Sequence, residues 1–384
     1  MNKILFDLRA CQPLGHIKFH GGGMYGYVVF EELCKTTPEK IVAYWDKDRF
    51  LEQSTKQLIE DLQIESINAK EKKLVDILKE HDYLFYSPLY FKEYHQLSNL
   101  SSPVYVTIHG LRKLEMNRDS YEIKYATNIL KKIKCIAKQT FLYNIIKKRF
   151  FNEYVDFFKQ KNVSIITVSN HSKNSLLFYY PFLDEKKIKV FYSPSTSKKE
   201  NENNQKQLNT KYYLIVSADR WLKNSLRAIE AFDLLIDNKQ TDASVIIVGA
   251  SSEKIFSKKI RNKNHFTIKG YVSKKELEIL QKNAYALIYP SLNEGFGYPP
   301  IETMKYGTPV IASPFSSIPE ICADAVIYAN PYSVEEIAMR ILMIEKESIR
   351  NLYSERALNQ YSIIFQKQTE DLRSLTNYLL GQLK

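Results

Sequence analysis

Short apolar runs alternate with longer mixed segments along the whole chain. Runs at residues 3–8, 40–45, 82–87, 104–109 and 163–168, then at 212–217, 244–249, 266–269, 285–289, 309–312 and 325–329, have the length and the β-branched or aromatic content of buried strands. The segments between them are long enough for helices. This alternation predicts parallel sheets covered by helices on both faces. Residues 195–210 are polar and charged and hold almost no apolar side chain. Such a stretch cannot bury a core and predicts a linker. It separates two α/β units, residues 1–194 and 211–365. Residues 366–384 are amphipathic and predict a helix.

Bulk properties narrow the picture. A chain of 384 residues suits two domains. The apolar fraction of 44% is that of a globular protein, and no apolar run is long enough to span a bilayer. Asp7 and Arg9 come too early for a secretory apolar region, so the start reads as the first strand of a cytoplasmic protein. Cys11, Cys34, Cys135 and Cys322 are scattered without a C-x-x-C pair, so neither disulfides nor a zinc site are expected. The net charge of +12 admits nucleic acid, an anionic membrane or phosphorylated small molecules as partners. Residues 123–152 carry eight Lys or Arg and no acid. They read either as a basic amphipathic helix on a membrane surface or as solvated helices whose apolar stripe packs into the core. The second reading is preferred, because docking these helices needs that stripe.

The segment 285–312 carries the most chemistry. An apolar run at 285–289 is followed by a Gly-containing loop, Ser291 to Tyr298, which holds Glu294. Pro299 and Pro300 suit a helix start, Glu302 falls in the first helical turn, and Gly307 stops the helix. Two carboxylates thus sit eight positions apart at the carboxyl end of a strand, where open α/β sheets bind ligands. Carboxylates accept hydrogen bonds from vicinal hydroxyls. Paired carboxylates also run glycoside hydrolysis, but that would leave the cations Arg220 and Lys223 without a role. These follow the run 212–217 and can grip a diphosphate; taken alone, they read as a solvated helix start. His109 ends a strong run and faces the crevice side, where it could donate a hydrogen bond to a sugar hydroxyl.

Other motifs are weaker. Gly21 to Gly26 satisfies G-x-G-x-x-G, with Asp46 twenty residues after Gly26. Residues 9–20 intervene after the first strand, so the segment reads as a Gly-rich turn opening the first helix, with Gly22 and Gly23 near an anionic ligand. The plainer alternative is a surface loop needing positive φ. Asp46 and Asp48 form an Asp-x-Asp pair, read as a helix N-cap rather than a metal site. No P-loop pattern occurs.

The stretch from Pro290 to Ala312 resembles the Glu-x7-Glu signature of family 4 retaining glycosyltransferases of the GT-B fold. Gly270 to Ser273, Ser317 to Ile321, Arg220 to Phe232, Thr167 to Ser169 and Ile108 to Gly110 fit the same family. The resemblance implies two facing Rossmann-like domains with parallel sheets, a cleft between them, and the C-terminal helix packing back on the first domain. It implies that Glu302 binds ribose and that Glu294, with Gly295, Phe296 and Gly297, holds the donor sugar. Arg220 and Lys223 would stabilise the leaving diphosphate, His109 would meet the sugar, Gly22 and Gly23 would line the phosphate side, and Val272 would lie near the base. Two departures stand out. The family usually has Gly where Ser217 or Ala218 stands, and it spaces its Arg and Lys farther apart.

The expected activity is metal-independent, cofactor-free hexosyl transfer, with retention, from a nucleotide-diphosphate sugar to a glycan or lipid-linked glycan in bacterial surface polysaccharide synthesis. The expected location is cytoplasmic, with peripheral membrane contact through 123–152 as an option and no nucleic-acid partner. The rivals are a GT-B glycan phosphorylase and a nucleic-acid-binding protein using the basic face.

Overall fold

The computed structural model describes residues 2–15, 20–196, 211–250 and 253–383. The expected linker lies outside these except for Ser195 and Thr196. The chain divides into two compact units. One comprises residues 1–114, 149–198 and 365–384; the other comprises 115–148 and 199–364. Residues 115–148 therefore belong with the second unit and not, as the apolar pattern suggests, with the first. Contacts across the fold decide this, and a one-dimensional pattern does not record them.

Among the described residues, the first unit holds seven parallel strands: β1 (Lys3–Asp7), β2 (Ile41–Trp45), β3 (Glu65–Asn68), β4 (Tyr83–Ser87), β5 (Val104–Ile108), β6 (Val163–Thr167) and β7 (Ile188–Val190). Their order is β3-β2-β1-β4-β5-β6-β7. The second unit holds β8 (Tyr212–Ile215), β9 (Ser244–Val248), β10 (Phe266–Lys269), β11 (Ala286–Tyr289), β12 (Val310–Ala312) and β13 (Ile327–Tyr328), in the order β10-β9-β8-β11-β12-β13. Every pairing is parallel. Both orders reverse direction once, between β1 and β4 and between β8 and β11. Loops at such a reversal diverge to opposite faces and leave a crevice at the strands' carboxyl ends.

Burial explains why the inner strands stand out in the pattern and the edges of the first sheet do not. The central strands β2, β4, β5, β8 and β11 are buried throughout, as strands covered on both faces must be, and they read as continuous apolar runs. β3 and β7, which the apolar runs do not predict, are the two edges of their sheet. β3 has one apolar residue in four and no fully buried position.

Each unit has its own core. Leu5, Val42, Phe85, Val106 and Ile165 pack with Phe157, Leu176 and Tyr180 in the first. Tyr213, Val245, Ile247, Ile288 and Ile311 pack with Phe232, Ile337 and Ile341 in the second. The long helix Glu347–Leu380 closes the chain. Its last part groups with the first unit, where Asp371 accepts from the Tyr192 N–H at 2.8 Å and Gln368 donates to the Ser193 carbonyl at 2.6 Å.

The basic segment behaves differently in its two halves. Phe150 and Phe151 pack against the first core, and Tyr154, Phe157 and Phe158 are buried in it. The helix Ile129–Gln139 buries no residue. Ile129 and Leu130 are 74% and 76% exposed, so the expectation that the apolar stripe docks this helix fails there.

Candidate active site

The second unit's reversal point gathers two of the expected residues. After β8 the chain turns through Ser217, which has φ +56°. This is one of the two positions where the resemblance expects Gly, and the left-handed backbone is the reason a Gly fits. Gly249 (φ +85°) lies against it: a Cβ there would stand 3.2 Å from Ser217 Cα. A short 3-10 turn, Trp221–Lys223, then leads to Asn224, also left-handed at φ +59°. Asn224 Nδ2 donates to the Pro290 carbonyl at 3.1 Å and to the Pro331 carbonyl at 2.5 Å, which fastens this turn to the loop after β11.

Lys223 is thereby directed inward and is only 5% exposed. Its Nζ donates to Glu294 Oε1 at 2.5 Å and to the Tyr289 hydroxyl. The same carboxylate oxygen accepts from the Tyr289 hydroxyl at 2.7 Å and from Ser291 Oγ at 2.5 Å. A buried ammonium and carboxylate are tolerable only when paired and hydrogen-bonded in this way. Arg220, three residues earlier, is exposed and stands outside this cluster. The turn that buries Lys223 leaves Arg220 on its outer side.

The loop carrying Glu294 is held from behind. The Glu294 N–H donates to Ser316 Oγ at 2.7 Å, and Ser317 Oγ donates to the carbonyls of Glu294 at 3.1 Å and Phe296 at 2.9 Å. Gly297 has φ +109°, and a Cβ there would stand 2.7 Å from Ile318 Cδ1. Only glycine meets both demands. Gly295 and Phe296 therefore follow Glu294 in a fixed loop. The helix that follows is Tyr298–Met304. It starts one residue before the prolines, so the half-buried Glu302 is its fifth residue, in the second turn rather than the first. Burial, followed by the charge of Glu302, raises the Tyr361 phenol. Val272 is half-buried in the turn after β10, at the sheet edge and two strands from β8.

One supporting pair was not legible. Arg227 is buried and grips Asp119 with both terminal nitrogens, at 3.0 and 2.7 Å, while donating to Asn224 Oδ1 at 2.9 Å. Its guanidinium lies 3.6 Å from the centre of the Tyr121 ring. Trp221 Nε1 donates to Asp119 at 2.9 Å. Burial would raise the Asp119 carboxyl, but the hydrogen bonds from Arg227 and Trp221 outweigh it and hold the group below its ordinary value. The pair braces the turn that carries Lys223. No local signal joins two residues so far apart in sequence.

In the first unit, Gly22 and Gly23 lie within the helix Gly21–Thr36 and not in a turn before it. Neither needs positive φ; close approach explains the glycines. A Cβ on Gly22 would stand 2.5 Å from Leu89 Cδ2, and one on Gly26 2.5 Å from Cys11 Sγ. His20 caps the helix, its Nδ1 accepting from the Gly23 N–H at 3.0 Å. His109 follows β5 and is partly exposed. Its Nε2 lies 2.9 Å from the Pro88 carbonyl. A carbonyl only accepts, so Nε2 carries the proton and Nδ1 is the acceptor, whereas the sequence suggested a donor to sugar. Burial, with His20 and Arg112 nearby, lowers the ring's pKa to about 4, against the opposing bond to Pro88, so it is neutral near pH 7. Asp46 is not a helix cap: its Oδ1 accepts from the Asp48 N–H at 3.0 Å, closing a turn well before the helix that begins at Gln53.

Residues 196–361 match the family model described as "Glycosyl transferases group 1". The chain is 32% identical over 200 residues to the O-antigen chain mannosyltransferase RfbU of Salmonella typhimurium, covering 49% of this chain and 52% of that protein. It is 39% identical over 92 residues to the O-antigen chain mannosyltransferase B of Escherichia coli, 24% of each chain. The alignments thus span about half, or less, of these relatives. Among solved structures, the fold is similar to WaaG, a glycosyltransferase involved in lipopolysaccharide biosynthesis (TM-score 0.66, 15% identity, 98% of this chain and 100% of that one). It is also similar to Anabaena HepE in complex with UDP and glucose (TM-score 0.65, 14% identity, 99% and 100%). These likenesses show the GT-B fold of two Rossmann-like units. The matched model and the mannosyltransferase relatives make the matched residues similar to glycosyltransferases.

Proposed function

We propose that this protein is a retaining glycosyltransferase that takes a sugar from a nucleotide-diphosphate sugar and adds it to a glycan or lipid-linked glycan acceptor in surface polysaccharide synthesis. The observation that carries this reading is the buried Lys223–Glu294 pair at the reversal point of the second sheet. An ammonium has three donors, so Lys223 can hold Glu294 and a phosphate oxygen together. As the sugar–phosphate bond lengthens, the preorganised cation stabilises the departing diphosphate without reorganising. Glu294 is oriented by Tyr289 and Ser291 to accept from sugar hydroxyls, and Glu302 accepts from the ribose. The acceptor oxygen attacks from the face the diphosphate leaves, and the diphosphate takes its proton. With Lys223 in this role, the reaction proceeds without a metal ion, so chelation with EDTA leaves it unchanged. Arg220, exposed beside the same turn, assists at the outer phosphate.

The relatives are named mannosyltransferases, while HepE is in complex with UDP and glucose. A thermal-shift screen therefore sets nucleoside-diphosphate mannose against UDP-glucose, since a ligand of the folded state raises the melting temperature. The stabilising donor then enters a transfer assay with the anomeric configuration of the product read by NMR. Glu302→Ala should abolish transfer and leave the fold intact. A fully active variant overturns the site; an inverted product overturns retention. Sugar release that needs orthophosphate and no nucleotide marks a phosphorylase instead.

A further inference from the structure

The helix Ile129–Gln139 is amphipathic in the opposite sense to a helix that only covers its own core. At about 100° per residue, Ile129, Ile133 and Ile136 share one side with Leu130 at its margin, while Lys131, Lys134 and Lys138 share the other. A surface helix packs its apolar stripe inward and leaves its charges in water. Here Lys138 pairs with Glu122 at 2.7 Å, and Gln139 Oε1 accepts from the Asp119 N–H at 2.9 Å. The last turn is thus tied to its own unit, and the apolar side is open. Ile133 is 58% exposed and Ile136 41%. The exposed apolar surface continues through Phe141 (72%) and Ile145 (60%). Lys131, Lys132, Lys134 and Lys148 are exposed around it, and no acid occurs from 123 to 152.

We propose that residues 129–148 form a docking surface for an anionic lipid bilayer. The apolar side chains enter the boundary between headgroups and acyl chains, and the lysines reach back to lipid phosphates. Charge selects this occupant. A rim of exposed lysines, with Glu122 already taken up by Lys138, is complementary to anionic headgroups, whereas a second copy of the same surface would set like charges against each other. None of its apolar or lysine side chains is among the donor-binding residues, so the proposal does not depend on the sugar transferred.

The full chain is floated with vesicles of phosphatidylcholine, with and without phosphatidylglycerol. It should rise with the anionic vesicles, and less so in high salt. Ile133→Ser with Ile136→Ser, and separately Lys131→Gln with Lys132→Gln and Lys134→Gln, should each weaken flotation by roughly tenfold or more, with the melting temperature unchanged. All five side chains are exposed, and the lysine variant stands as an independent test should the isoleucine variant fold poorly. Wild-type protein that stays unbound to anionic vesicles overturns the proposal. So does an isoleucine variant that floats like wild type, or one that changes only the oligomeric state in sedimentation and not vesicle binding.

Discussion

Replacing Lys223 by Met removes one member of a buried ion pair while keeping most of its volume. Lys223 and Glu294 are both less than a tenth exposed and stand 2.5 Å apart. Water cannot replace the lost ammonium, so the carboxylate keeps its desolvation cost and loses its main compensation. Breaking such a pair from one side costs about 3–5 kcal/mol. Tyr289 and Ser291 still donate to Glu294, which places the expectation at the lower end. A domain of roughly 150–250 residues moves about 2–4 °C per kcal/mol, so Lys223→Met should lower the melting temperature by about 6–12 °C. Glu294→Gln added to it removes the second charge and should recover most of that loss, giving a coupling energy of about 1–3 kcal/mol in a double-mutant cycle. Calorimetry or urea titration of the four proteins reads both quantities. Losses that simply add would refute the pairing. Transfer activity is the independent readout: both single variants should lose it under conditions where they remain folded.

Three further outcomes follow from the geometry. His109 has a folded pKa of about 4, below its unfolded value of about 6.5. The unfolded chain therefore binds more protons between those values, and stability should fall as pH drops from 6.5 to 4. His109→Gln should flatten that part of the curve relative to wild type, and an unchanged slope would remove His109 as its source. Gly26→Ala drives a Cβ to within 2.5 Å of Cys11 Sγ and 2.8 Å of Pro88 Cγ; overpacking of this kind costs about 1–3 kcal/mol, seen as a lower urea midpoint at constant m value. Asp119→Ala strips Arg227 of a bidentate partner and should both destabilise the protein by about 3–5 kcal/mol and reduce donor affinity by loosening the turn at Lys223; a variant with wild-type donor affinity would show that the brace serves stability alone.

The elements most exposed to prediction were those buried on both faces. β2, β4, β5, β8 and β11 show as apolar runs because each side chain meets a helix or the neighbouring strand. Of the edge strands, β3 has no buried position and β7 is only three residues long, so neither kept such a signature. The loop after β11 was legible for a related reason. Gly297, the prolines and the two glutamates each answer a local backbone or chemical demand, and they sit within one short segment. The helix Ile129–Gln139 misled because periodicity reports that a face is apolar and not what covers it.

The chain's own order of residues settled the parallel α/β class and the place of Glu294 in the loop that follows an apolar strand. Both depend on neighbours in sequence. Tertiary structure decided the rest. It buried Lys223 on Glu294 and left Arg220 outside, which requires β8 and β11 to be adjacent. It set Arg227 on Asp119 and turned the His109 ring so that its Nε2–H donates to the Pro88 carbonyl. Each of these rests on a hydrogen bond or ion pair closed across the fold, and such contacts carry no mark in local composition because their energy depends on distance and burial that only the folded chain supplies.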